Sequence, residues 1–160
     1  MPPADQHGSP RKTIVASRSE ADTHAIASEL ARSLHAGDVL LLTGDLGAGK
    51  TAFVRGVAAG LGIDPDEVSS PTFTLVHEYR GQGLTLYHAD LYRLGQAATG
   101  ELGLEELGVK DGVLAIEWPD RLTHDIPGAL SITLETIGGS SRRITIARAP
   151  IPSGSSALPS

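Results

Sequence analysis

The sequence predicts an α/β domain: a mixed sheet with helices on both faces, completed by antiparallel hairpins. Three observations predict it. Asp38-Val39-Leu40-Leu41-Leu42-Thr43 is a short apolar run of the kind a fully buried parallel strand needs. A glycine-rich turn then leads into Val54, Val57, Ala58 and Leu61, which fall at i, i+3, i+4 and i+7 along one side of a helix. Two further pairs of alternating segments, each joined by a glycine-containing loop, read as β-hairpins.

Taken in order, residues 1–12 are rich in Pro, Gly and charge without periodicity, the signature of a disordered tail. Thr13 to Ser17 suits a short strand. Ser19 is placed as the N-cap of a helix, with Asp22 taking the place of the usual capping-box Glu. That helix is expected to reach Ala36, burying Ile26, Leu30 and Leu34 with Ala27 and Ala31, and to stop at Gly37. His24 and His35 read as solvated polar positions on it. After the second helix, Gly62 stands where a C-cap glycine is expected. Asp64-Pro65 and Ser69-Ser70-Pro71 form turns, and residues 72–79 and 84–90 form the first hairpin. Leu102 to Leu107 suits a short helix, and Val113-Leu114-Ala115-Ile116 a second buried strand ending in Glu117. Residues 129–136 and 142–148 form the second hairpin, and 150–160 a disordered tail, leaving one domain over 13–149.

Composition narrows the function classes. At 160 residues, one domain with a real core is expected. A formal net charge of −6 makes the chain a poor match for gripping nucleic acid by itself, because that affinity comes from neutralising phosphates. The absence of cysteine excludes disulfides, thiolate zinc sites and thiol nucleophiles. No apolar stretch approaches membrane-spanning length and the N-terminus lacks a signal-peptide core, so a soluble, cytoplasmic protein is expected.

The turn itself carries the chemistry. Gly44-Asp45-Leu46-Gly47-Ala48-Gly49-Lys50-Thr51 matches G-x-x-x-x-G-K-[ST], and strand, turn and helix start come in the order a phosphate-binding loop requires. The sheet is therefore expected to be P-loop NTPase-like. Glycines let the backbone approach a ligand, and successive N–H groups at the positive end of the helix, through Ala52, favour phosphate oxygens. Lys50 brings a point charge to the β- and γ-phosphates of ATP, and the Thr51 hydroxyl suits Mg²⁺. Glu117, at the end of a buried strand, is the candidate metal partner of Thr51. Asp90, also ending a strand, is the candidate for orienting water or for outer-sphere metal contact. Thr72 lies where switch loops sense a γ-phosphate. Trp118 is a candidate nucleotide contact, and Asp120, Arg142 and Arg143 are candidates for reaching the base or ribose.

Four ordered blocks go beyond a generic P-loop: residues 44–51; Ser70-Pro71-Thr72-Phe73-Thr74-Leu75-Val76-His77-Glu78-Tyr79; His88-Ala89-Asp90-Leu91-Tyr92-Arg93-Leu94; and Ile116-Glu117-Trp118-Pro119. Over roughly residues 14–147 the chain resembles the TsaE family, bacterial ATPases of tRNA threonylcarbamoyladenosine biosynthesis. Ala89 departs from the Phe usual between His and Asp, a change expected to alter packing and not chemistry. The resemblance implies ATP and Mg²⁺ binding through Lys50, Thr51 and Glu117, a need for Asp90 in hydrolysis, and Thr72 in a nucleotide-sensitive loop. It also implies slow hydrolysis alone and work with TsaD and TsaB, which modify adenosine 37 of ANN-decoding tRNAs. Hydrolysis would reset that complex between cycles, and tRNA would be met only through the partners.

Two rival readings stand beside it. A small-molecule kinase needs an Arg-rich lid to clamp the transferred phosphoryl group, whereas residues 91–112 carry only Arg93 and Lys110. A non-hydrolytic nucleotide-binding scaffold would need neither Asp90 nor Glu117.

Overall fold

The apolar run after Asp38 becomes the middle of the sheet. A computed structural model describes residues 12–45, 47–69, 76–92, 104–122 and 125–150. In chain order these form β1 (Lys12–Ser17), α1 (Glu20–Ala31), β2 (Val39–Thr43), α2 (Lys50–Gly60), β3 (Val76–Arg80), β4 (Thr85–Asp90), β5 (Gly112–Glu117), β6 (Leu130–Gly138) and β7 (Ser141–Arg148). Short 3-10 turns occur at Pro65–Glu67, Leu104–Glu106 and Pro119–Arg121. Among the described residues, no helix is long and apolar enough to cross a membrane.

The seven strands lie in the order β1-β7-β6-β2-β5-β4-β3. β2 runs parallel to both β5 and β6, and β4 joins parallel to β5. The antiparallel pairs β3–β4 and β6–β7 are the two expected hairpins, and β1 closes the far edge against β7. All six residues of β5 are buried, as a strand covered on both faces requires.

Side-chain alternation divides the core in two. Leu40, Leu42, Leu86, Val113, Ala115 and Ile132 face α1 and α2, where they meet Phe53, Val54, Val57 and Ala58. Val39, Leu114, Ile116 and Ala89 face the other way, where Leu104, Ile126 and the half-buried Leu107 and Leu122 cover them. Both described α-helices therefore share one face, not both faces as expected, because the apolar sides of α1 and α2 join a single cluster. Among the described residues, the opposite face is closed by 3-10 turns and loops.

The helix ends follow local chemistry. Ser19 caps α1, its side chain accepting from Asp22 N–H, while Asp22 Oδ2 accepts in return from Arg18 N–H. α1 stops at Ala31, not at the expected Ala36. Arg32 and Ser33 turn back with i→i−3 bonds, and the Ser33 hydroxyl satisfies the Leu30 carbonyl. Leu34 still reaches the core from the turn that follows. Gly62, at φ +83°, ends α2 with Ile63 N–H on Ala58 O and Gly62 N–H on Ala59 O, the paired bonds of a Schellman stop.

α1 and α2 touch backbone to backbone. A Cβ added to Gly56 would lie 2.4 Å from His24 O and 2.6 Å from the Ala27 Cβ. Alanine at this helical site would gain about 1 kcal/mol of helix propensity. Overpacking against a main-chain oxygen that cannot move aside costs about 1–3 kcal/mol. The steric term dominates, so Gly56→Ala lowers unfolding stability, by about 1 kcal/mol net, measured as a lower urea midpoint at unchanged slope.

Candidate functional site

The loop from Gly44 to Gly49 leaves the C-terminal end of β2 and enters α2, whose N-cap is Gly49 at φ +102°. An L side chain is strained there, so glycine is needed for the turn itself. The first helical bond, Phe53 N–H to Gly49 O at 2.9 Å, leaves the amides of Gly49 through Ala52 outside the helical ladder. Asp45 accepts from Ala48 N–H at 2.9 Å, tightening the turn. Gly44 packs closely too, since a Cβ there would come within 2.8 Å of Leu134 O. Ala48 in the loop and Ala52 in the first turn of α2 are buried, and Asp45 is exposed.

Lys50 is buried, with 6% of its surface exposed. Its Nζ donates to the carbonyls of Gly44 and Asp45, the latter at 3.1 Å, and lies 4.5 Å from the Trp118 ring centroid. Burial lowers its pKa, against the opposing pull of Glu117, Asp90 and Asp45. The ammonium is thus held by main-chain dipoles and an aromatic face, within electrostatic reach of Glu117, Asp90 and Asp45.

Those acids arrive through sheet register. Asp90 and Glu117 are direct partners at the ends of β4 and β5, so both point to the α2 side of the sheet. Glu117 is buried, and its Oε2 accepts from Nε2 of the fully buried His88 at 2.7 Å. His88 Nδ1 finds no partner among the described residues. Asp90 Oδ1 accepts from Tyr92 N–H at 3.0 Å. Burial raises the Asp90 pKa; the Tyr92 bond opposes this, and nearby Glu117 adds to it.

Trp118 follows with φ +61°, the one described non-glycine residue with positive φ, which swings its indole off the strand and over Lys50. Tyr92 lies against it, ring centroids 4.9 Å apart. Asp120 follows in the 3-10 turn and is exposed.

The structure therefore brings together Gly44, Asp45, Gly47, Ala48, Gly49, Lys50, Thr51, Ala52, Asp90, Glu117 and Trp118 from the sequence-derived set. Leu46 and Thr72 lie outside the described residues. Arg143 is not brought in. Neighbours on a strand face opposite ways, and Arg143 is exposed with an ion pair to Glu135 at 3.6 Å. Arg142 does reach the loop, but its guanidinium is taken up by main-chain carbonyls. His88 was missed as a site residue. The available signal was its place two residues before Asp90, which puts both side chains on one face of β4.

A family model described as "Threonylcarbamoyl adenosine biosynthesis protein TsaE" matches residues 17–144. The chain is similar to the tRNA threonylcarbamoyladenosine biosynthesis protein TsaE of Treponema pallidum, 43% identical over 133 residues that cover 82% of this chain and 97% of that protein. The protein of the same name from Bacillus subtilis is 44% identical over 125 residues, 78% of each chain. A crystal structure of Bacillus subtilis YdiB matches with a TM-score of 0.71 and 35% identity, covering 88% of each chain. The matched span contains the loop, both strand-end acids and Trp118, and on these grounds the chain belongs to the TsaE family of threonylcarbamoyl adenosine biosynthesis proteins.

Proposed function

We infer that the chain binds ATP with Mg²⁺ and hydrolyses it, acting with TsaD and TsaB in the formation of N6-threonylcarbamoyladenosine at position 37 of ANN-decoding tRNAs. One observation carries the ATPase reading: the P-loop lysine is buried at the start of α2, close to two strand-end carboxylates, Asp90 and Glu117. The biosynthetic role is supported by the names of the relatives. The partners come from the family resemblance, and a chain of net charge −6 fits a role in which other subunits contact the tRNA.

The donor set fits Mg²⁺. Thr51 and Glu117 offer only oxygen, as a hard cation prefers. Among the described residues no group of three or more His, Asp or Glu is placed to hold an ion, so this ion would be shared with substrate phosphates. Bound there, it would neutralise charge on the β- and γ-oxygens. Lys50 would exchange its bonds to the Gly44 and Asp45 carbonyls for phosphate oxygens. The amides at the start of α2 would hold the phosphates, His88 keeps the Glu117 carboxylate oriented, and Asp90 would orient the attacking water. Trp118, packed against Tyr92, would contact the nucleotide, and Thr72 would belong to the nucleotide-sensitive loop.

With ATP and Mg²⁺, the purified chain should release ADP and phosphate slowly, and faster once TsaD and TsaB are added. Lys50→Ala and Glu117→Ala should each lower turnover at least about 100-fold, the scale of losing one preorganised charge-stabilising group. Radiolabelled phosphate appearing on a small acceptor in place of free phosphate would turn the assignment to a kinase.

Asp90 offers a test that separates activity from stability. Its folded-state pKa is raised above the usual 3.8, so burial favours the neutral carboxyl, and that stabilisation is lost as pH rises through the folded value. Asp90→Asn should therefore melt at a higher temperature than the wild type at pH 7 without ligand, lose this advantage in acid below pH 3.8, and hydrolyse little ATP.

A further inference from the structure

We propose that Arg142, 94 residues from Ala48 along the chain, is a positioning residue that sets the peptide planes of the phosphate-binding loop. The proposal deepens the ATPase reading and rests on it for the identity of the ligand. Arg142 lies near the start of β7, on the same face as the buried Ile144, which is the α2 side of the sheet. Its Nε donates to Ala48 O at 3.0 Å and its Nη2 to Gly47 O at 3.1 Å. Its Nη1 donates to Gly139 O at 2.8 Å and Ser141 O at 3.0 Å, in the β6–β7 turn. All four acceptors are main-chain carbonyls. One planar fork therefore ties the hairpin turn to the loop.

The consequence follows from peptide geometry. The Gly47 carbonyl shares a rigid plane with the Ala48 N–H, which donates to Asp45 O at 2.9 Å inside the turn, and the Ala48 carbonyl shares one with the Gly49 N–H, which lies outside the helical ladder at the start of α2. In a trans peptide the two groups point in opposite directions, so fixing the carbonyl fixes the amide. A loop whose amides face an anion must turn carbonyls away from it, and each such carbonyl needs a donor. Arg142 supplies that donor to two successive planes. Both planes adjoin glycines, Gly47 at φ +83° and Gly49 at φ +102°, whose backbones have no Cβ to restrict them. Holding them before the ligand arrives removes an ordering cost from binding. A lysine would keep the positive charge but not the fork that spans both carbonyls.

The test uses the full chain and Mg-ADP as the probe. Affinities of wild type, R142K and R142A are measured by calorimetry, alongside ¹⁵N amide spectra of the ligand-free proteins. About tenfold weaker ADP binding is expected for R142A, the scale of a charge-assisted hydrogen bond. R142K should stay closer to R142A than to wild type, and both variants should broaden or shift the amides of Ala48 and Gly49. Wild-type affinity in both variants, with changes confined to the Gly139 and Ser141 region, would reduce Arg142 to a hairpin staple and overturn the proposal. Full recovery by R142K would overturn it too, leaving charge alone as the cause. Should R142A fail to fold, R142K decides the question. If the wild type binds no ADP, the ATPase reading fails instead, and the loop amides still report whether Arg142 positions them.

Discussion

The site depends on the parallel pairing of β2 with β5. That pairing sets Leu42 beside Glu117, and the next pair, β4 with β5, sets Asp90 beside Glu117. Parallel strands all leave the sheet at the same edge, so three chain exits converge there: the glycine-rich loop, the Glu117–Trp118 corner and the Asp90–Leu91 corner. A bond from Leu91 N–H to Glu117 O at 3.1 Å fastens the last two together. Side chains alternate with a period of two residues, so a slip of one position would send Glu117 to the opposite face, away from α2. The burial of β5 on both faces opposes that slip, because it would bring Glu117 into the apolar side with Ile116 and Leu114 exchanged.

The electrostatics of the site are what would make the proposed ligand depend on a divalent ion. One buried ammonium, Lys50, faces the carboxylates of Glu117, Asp90 and Asp45. A triphosphate bound here would add negative charge beside two acids at strand ends. At an effective dielectric near 20, two unit charges about 4 Å apart interact by roughly 4 kcal/mol, too large a repulsion to leave unbalanced. In the proposed reading, a cation shared by Glu117, Thr51 and the phosphates would turn that repulsion into attraction. Trp118 and the Gly44 and Asp45 carbonyls hold Lys50 at the same spot in the ligand-free protein, so its side chain begins close to where the proposed chemistry needs it.

Two supports outside the loop hold it in register with these charges. Beneath it, α2 is seated against α1 through Gly56 and against the sheet through Phe53, Val54 and Val57, which sets the direction of the helix start. Beside it, β7 brings Arg142 to the outward carbonyls of Gly47 and Ala48. The first support is apolar and close-packed, the second polar and directional. Together they let a glycine-rich segment, entropically the costliest kind to order, keep one conformation.

By itself, the amino-acid sequence determined the local parts: the strand–loop–helix around Lys50, both hairpins, the caps at Ser19 and Gly62, and acids at the ends of the fourth and fifth strands. Each is set by residues within a turn or two of one another, through periodicity, φ preference or side-chain capping. The tertiary structure alone decided the strand order, the placement of both α-helices on one face, and the early end of α1 after Ala31. It also decided that His88 holds Glu117, and that Arg142 serves the loop while Arg143 turns away to Glu135. Those outcomes join residues 29 to 95 positions apart, or depend on which face of a strand a neighbour occupies. Register between distant strands is chosen by the packing of the whole sheet, and no local pattern encodes it.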